Sequence, residues 1–170
     1  MMKRFVKTLI LCAAAALAAP AAGAQVQITK VDKIQPNEEV FMDMAVSAAK
    51  TSVADNGLPC GAVVILNGAW RSTGMPSNEI SAEQTAINKA RTKSLGNAAV
   101  YTVVQPTAAA CKAIAESGVG AVYFAVPADK AIAAGIYPAS AYEGADATTR
   151  FVQIDFPEAD SLISQWKGAK

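Results

Sequence analysis

The spacing of hydrophobic and polar residues predicts alternating helices and buried strands over most of the chain. Residues 37–55 carry apolar side chains at helical spacing, after a predicted Asn37 cap and before the Asn56-Gly57 stop signal. These apolar positions are Phe41, Met44, Ala45, Ala48 and Val53. A first amphipathic helix is therefore expected over 37–55, with one face towards a core.

Three short apolar runs, each suited to a strand covered on both faces, occupy 60–66, 98–104 and 119–126. Asn67-Gly68 predicts a hairpin turn, with a return strand over 69–72. Further helices are expected over 81–95, 106–116, 127–134 and 157–166, and a further strand over 151–155. This order predicts an α/β fold, a three-layer α-β-α sandwich around a mixed sheet of about five strands.

The first 24 residues are predicted to be a secretory signal peptide rather than part of the fold. Three basic residues precede an apolar run over 8–19, and Ala22-Gly23-Ala24 supplies the small residues of a cleavage site. The run ends at Pro20, too early for a membrane anchor. The expected division is a signal peptide (1–24), an N-terminal arm (25–36) and one domain (37–170), in a periplasmic or secreted protein without a membrane span after cleavage.

The amino-acid composition argues against several classes of function. The chain contains no histidine, which excludes Ser-His and Cys-His nucleophiles and histidine-ligated metals. Cleavage would remove three of the 15 basic residues and leave 12 against 14 acidic ones, a net charge of about −2. Aromatic residues make up 6% of the chain. Neither the charge nor the aromatic content favours a nucleic-acid partner.

Several motifs, in order and spacing, resemble those of the cytidine deaminase-like superfamily. Pro59-Cys60-Gly61-Ala62 begins the first core strand, Ala82-Glu83 begins a helix, and Gln105-Pro106 follows the strand that contains Tyr101-Thr102. The resemblance covers residues 38–135 and is nearest to the guanine and tRNA-adenosine deaminases. It implies the deaminase fold, with Ala62 and Asn78 among the residues that contact a ligand, and Glu83 as the acid that transfers protons.

The positions at which this superfamily binds zinc hold other residues here. The resemblance places the first ligand at Ser81 and the two cysteine ligands at Thr107 and Ala110. Cys111 comes one residue after the ligand position at Ala110, and its side chain would point about 100° further around the helix axis. Ser81 and Thr107 are instead good N-cap residues. Zinc is therefore expected to be absent, and the preference for acids in the first turn of a helix explains Glu83 better than a remaining proton-transfer role does.

Two cysteines, Cys60 and Cys111, remain after signal cleavage. In an oxidising compartment they can form a disulfide, and they can equally be two buried thiols. Trp70 and Arg71 are compatible with either a pocket mouth or a half-exposed edge strand. The sequence does not decide between the alternatives for either pair.

Three functions are compatible with these features. The first is a catalytically inactive deaminase-like binding or interaction module, whose emptied site, including Ser81 and Thr107, accepts a neutral nucleobase or nucleoside rather than phosphate. The second is an active nucleobase or nucleoside deaminase with a divergent site. The third is a subunit of an assembly, such as a homodimer. The first hypothesis is preferred because this sequence differs from the family motifs at the positions of the metal ligands.

Overall fold

The computed structural model describes residues 26–92, 94–145 and 148–168, so the predicted signal peptide lies outside the described residues. These residues form five α-helices and six strands, which alternate along the chain except that two strands follow each other after the first helix. The strands are β1 (Ile28–Val31), β2 (Ala62–Leu66), β3 (Ala69–Gly74), β4 (Ala98–Val104), β5 (Ala121–Val126) and β6 (Arg150–Ile154). The helices are α1 (Pro36–Ala54), α2 (Ala82–Ala90), α3 (Ala108–Ser117), α4 (Ala128–Ala133) and α5 (Pro157–Gln165), with a 3₁₀ helix at Ala139–Tyr142.

The sheet is mixed, in the order β1-β6-β5-β4-β2-β3. Strands β1, β6, β5 and β4 run parallel to one another, whereas β2 is antiparallel to both β4 and β3. There are six strands rather than about five because β1, which lies in the predicted arm, pairs with β6 at the sheet edge. The predicted α/β class and mixed sheet are confirmed.

Helices cover both faces of the sheet, as expected for a three-layer sandwich. One face carries α1 and α5, which contact each other, and the other carries α2 and α3, which also contact each other. The central strands are buried between the two layers, and Val63, Val64, Val100 and Phe124 are fully enclosed. The carboxyl end of β4 leads directly into α3, so the sheet fixes the position at which α3 begins.

Two helix boundaries differ from the sequence-based expectation. Helix α1 is capped by Gln35 rather than Asn37, with Pro36 in its first turn, and the Gln35 amide donates to Glu38 Oε2 at 2.9 Å. Helix α2 ends at Ala90 rather than near Leu95, because Arg91 adopts a left-handed conformation with φ of 48°. A left-handed residue breaks the helical hydrogen-bond series.

Helix α2 lies unusually close to β3 at Gly74. A Cβ atom added to Gly74 would collide with the carbonyl oxygen of Ala82 and the amide nitrogen of Ala86, and would lie 2.9 Å from Ala86 Cα. These are backbone atoms, which cannot move aside as a flexible side chain can. The absence of a side chain at Gly74 thus sets the depth at which the N-terminus of α2 sits on the sheet.

Candidate functional site

A pocket of about 320 Å³ lies where the N-termini of α2 and α3 meet. Ser81 and Thr107, the residues immediately before the two helices, both line it. The loop before α2 contributes Asn78, and Tyr137 closes part of the wall. The volume is at the lower end of the range of roughly 300–1,000 Å³ that small-molecule sites occupy.

Ser81 and Thr107 cap the helices that they precede. Ser81 Oγ accepts a hydrogen bond from the Gln84 amide at 3.2 Å, and Thr107 Oγ1 accepts one from the Ala110 amide at 3.4 Å. The predicted capping roles of both residues are therefore confirmed. Each cap satisfies one backbone donor of the first turn, and the remaining amides retain the partial positive charge of a helix N-terminus.

Glu83 is buried in the first turn of α2 and is not among the pocket-lining residues. Its Oε1 accepts a hydrogen bond of 2.5 Å from Thr102 Oγ1 in β4, and Thr102 is itself fully buried. Glu83 therefore belongs to an inner polar layer, beneath the pocket and against the sheet.

Two thiols and two phenols complete this inner layer. Cys60 Sγ and Tyr137 Oη are 3.6 Å apart, and Cys111 Sγ donates to the Pro106 carbonyl at 3.7 Å. Burial raises the pKa of Cys60 and of Cys111 to about 12, and the charge of Glu83 contributes to both shifts. Burial also raises the pKa of Tyr137 and of Tyr142 far above the ordinary range, with Cys60 and Glu83 adding to it. We call Glu83, Cys60, Cys111, Tyr137 and Tyr142 the inner cluster.

Both cysteines are buried free thiols in the structure, which therefore does not contain the disulfide left open by the sequence. With pKa values near 12, their thiolate fraction at pH 8 is roughly a thousandfold below that of an ordinary cysteine. We expect iodoacetamide to label neither thiol in the native protein and both after unfolding without reductant. Mass spectrometry of the alkylated chain measures this, and no label after unfolding would establish a disulfide instead.

The same pKa shifts predict the pH dependence of the free energy of unfolding. The unfolded thiols ionise near pH 9, whereas the folded thiols retain their protons to about pH 12. The contribution of the two buried thiols to the free energy of unfolding is therefore complete below about pH 9 and is lost as the pH rises towards 12. We therefore expect the free energy of unfolding to fall as the pH rises from about 9 to about 12.

The structure brings together some of the residues singled out from the sequence and separates others. Asn78 lines the pocket and has a left-handed φ of 46°, whereas Ala62 is fully buried within β2 and does not line it. Trp70 and Arg71 belong to the exposed edge strand β3, away from the pocket. Sequence analysis missed Tyr137 and Tyr142, because they lie in a stretch without helical or strand periodicity.

Comparison with known proteins places this geometry in a family. The sequence model described as cytidine and deoxycytidylate deaminase zinc-binding region matches residues 35–126, just over half of the chain. The chain belongs to this deaminase family. The matched range contains Ser81, Glu83, Thr107 and Ala110, so it includes the two helix N-termini of the pocket.

Solved structures of deaminases share the fold. Guanine deaminase from Bacillus subtilis is 28% identical, with a TM-score of 0.53 over 78% of this chain and 98% of that chain. Guanine deaminase from Nitrosomonas europaea is 20% identical, with a TM-score of 0.62 over 79% and 86%. A protein in complex with 8-azaguanine is 21% identical, with a TM-score of 0.63 over 75% and 82%. A search of curated proteins found no match.

The side chains at the family's metal position do not fit a zinc ion. Protein zinc sites use Cys, His or carboxylate ligands. Here the hydroxyls of Ser81 and Thr107 accept backbone amides, and Ala110 offers a methyl group. Across residues 26–92, 94–145 and 148–168, no three His, Cys, Asp or Glu side chains are grouped to hold a metal.

The described helices give no sign of a membrane span. None of those in the three described segments combines the length and the hydropathy that crossing a bilayer requires.

Proposed function

We propose that this chain is a secreted member of the deaminase family that binds a neutral nucleobase or nucleoside and does not carry out zinc-dependent deamination. The observation that carries the proposal is the chemistry at the two helix N-termini. The family resemblance assigns Ser81 and Thr107 to two of the metal-ligand positions, and in this chain both hydroxyls cap helices instead. A pocket bounded by two capped helix N-termini, with no metal-ligating side chain at these positions, supports binding rather than metal chemistry.

The charge of the pocket favours a neutral ligand. Glu79 is the one charged side chain among the described residues that line it, and Glu83 adds a second acid beneath. Phosphate would meet acidic side chains with no Lys or Arg in that lining to compensate. A nucleobase instead offers N–H groups to acids and carbonyl or ring-nitrogen acceptors to Asn78, Gln84 and the helix amides.

The related protein solved with 8-azaguanine supports a purine-like ligand, because it shares the fold. The predicted signal peptide supports a periplasmic or secreted location, and the near-neutral charge supports a small molecule rather than a nucleic acid. Self-association into a homodimer is also part of the proposal, and light scattering of the purified protein would test it.

A second candidate function is an active nucleobase or nucleoside deaminase with a divergent site. The observation in its favour is the buried Glu83, which occupies the position of the proton-transferring acid in the family resemblance. An active deaminase would release ammonia from its substrate. A negative result for ammonia with each substrate that binds would favour the binding protein over this candidate.

We expect Ala109→Trp to abolish ligand binding without unfolding the protein. Ala109 is an exposed residue of α3 that lines the pocket, so a large side chain there fills the pocket from outside the core. Ala133→Trp is the matched control, since Ala133 is also an exposed helical alanine but lies away from this pocket.

The measurement is thermal unfolding with guanine, 8-azaguanine, cytidine and adenosine. A ligand that binds only the folded state at a hundred times its Kd stabilises it by about 2.7 kcal/mol. We expect at least one of the four to raise the Tm of the wild type and of Ala133→Trp, but not of Ala109→Trp. The proposal fails if none of them raises the Tm of the wild type, or if Ala109→Trp responds as the wild type does.

A further inference from the structure

A tight two-residue turn, Asn78-Glu79, forms part of the pocket wall just before α2. Ser77 and Ile80, on either side of it, exchange two backbone hydrogen bonds of 3.0 and 2.8 Å. Asn78 and Glu79 both have left-handed backbones, with φ of 46° and 67°. All four residues line the pocket. The turn therefore holds the backbone of Glu79 at the pocket wall.

Glutamate is an unfavourable residue at the second position of such a turn. A two-residue turn with positive φ at both positions favours Asn-Gly, because glycine has no Cβ to collide with the backbone. The turn between β2 and β3 follows this rule, since Asn67 and Gly68 have φ of 53° and 77°. In the pocket turn, Glu79 stands where glycine is preferred. Residues held in strained backbone conformations are concentrated at functional sites, so the side chain of Glu79 is a candidate for a role in the pocket.

The carboxylate of Glu79 has no cation to compensate it. Among the described residues the one ion pair joins Lys130 to Asp160, so Glu79 is in none. Glu79 is exposed, whereas the other acid of this region, Glu83, is buried and accepts a hydrogen bond from Thr102. Glu79 thus places an uncompensated negative charge at the wall of the pocket, on the side that solvent and ligands reach.

We propose that Glu79 is the specificity-determining residue of the pocket, and that it admits nucleosides and rejects their 5′-phosphates. A nucleoside can donate N–H or O–H hydrogen bonds to the carboxylate. A phosphate monoester is negatively charged at neutral pH and offers acceptor oxygens, so the same carboxylate repels it. The strained turn is retained because it holds this acid at the wall. This inference rests on the proposed function and assigns its selectivity to one side chain.

Glu79→Gln removes the charge and keeps a side chain of the same shape. The probes are cytidine, adenosine and guanosine, each compared with its 5′-monophosphate. For a nucleoside that binds, the affinity of the monophosphate relative to the nucleoside should rise by about fivefold or more in Glu79→Gln at low salt. Most of this rise should disappear at about 1 M salt, because salt screens interactions between exposed charges. Glu39→Gln is the control, since Glu39 is an exposed acid of α1 on the other face of the sheet.

The Tm of the ligand-free protein tests the strain at Glu79 without any ligand. Glu79→Gly should raise the Tm by about 1–4 °C, because glycine adopts positive φ without strain. Glu79→Gln keeps the strained backbone, so its Tm should equal that of the wild type. Arg91→Gly is the matched control, because Arg91 also has a left-handed φ, of 48°, but ends α2 and is not among the residues that line the pocket. It should raise the Tm similarly and leave the affinity ratio unchanged.

Isothermal titration calorimetry measures the affinities. An unchanged ratio in Glu79→Gln, or a rise that persists at about 1 M salt, would overturn selection by the charge of Glu79 while leaving the proposed function intact. Binding of a free base but of no nucleoside would overturn it too, since the shape of the pocket would then exclude the nucleotides. A Tm of Glu79→Gly no higher than that of the wild type, while Arg91→Gly gains, would overturn the strain. Failure of every base and nucleoside to bind the wild type would overturn both the proposed function and the role of Glu79.

Discussion

Gly74→Ala should destabilise the protein by about 3 kcal/mol or more, at the upper end of what overpacking causes. The added methyl group would meet the Ala82 carbonyl oxygen and the Ala86 amide, both in the backbone of α2. The helix would have to lift from β3, which would move the Ser81 cap and Glu83 together. Because Thr102 in β4 donates to Glu83, this shift would also break the short hydrogen bond that anchors the acid.

Urea unfolding followed by circular dichroism measures this effect, with Gly96→Ala as the matched control. Among the described residues, a Cβ at Gly96 would have only Ser94 Oγ near it, at 3.9 Å, so the control should lie within about 0.5 kcal/mol of the wild type. A loss of less than about 1 kcal/mol in Gly74→Ala, with an unchanged m-value, would contradict the close approach of α2 to β3.

The elements that position the pocket were predictable because their signals are local. Capping residues at Ser81 and Thr107 precede the two helices, and each hydroxyl accepts the expected amide. The apolar run over 98–104 predicted β4 at its observed bounds, since a strand covered on both faces shows no alternation. Helix starts and buried strands are determined by short stretches of sequence, and the pocket lies where two helix starts meet.

The inner cluster was not predictable, because its members come from distant parts of the chain. Tyr137 lies 77 residues beyond Cys60, and nothing in the sequence pairs them. The partner of Glu83 likewise lies on another element, at Thr102 in β4. The pairing of β1 with β6 joins two segments that are far apart in sequence, which is why the sheet has one strand more than expected. Tertiary placement, rather than local pattern, decides such contacts.

A domain with Ser81, Thr107 and Ala110 at the family's metal-ligand positions can still fold, because its helix ends are capped. Ser81 precedes α2 and Thr107 precedes α3, and the hydroxyl of each residue caps the helix that follows it. Loss of a single cap costs about 1 kcal/mol. The two caps and the continuous six-stranded sheet of the described residues therefore preserve the scaffold.

The most direct test of the central claim is binding and turnover in the presence and absence of metal. The protein without its predicted signal peptide, residues 25–170, would be purified without chelator, divided, and one half treated with EDTA. Elemental analysis then gives the zinc content, while calorimetry with 8-azaguanine and an ammonia assay with guanine, cytidine and adenosine give binding and deamination.

We expect much less than one zinc per chain, no ammonia above the uncatalysed background, and the same Kd for 8-azaguanine with and without EDTA. Ser81, Thr107 and Ala110 are the reason, because together they supply no side chain of the kind that zinc prefers. One zinc per chain, together with ammonia release that EDTA abolishes, would contradict the account and establish an active deaminase.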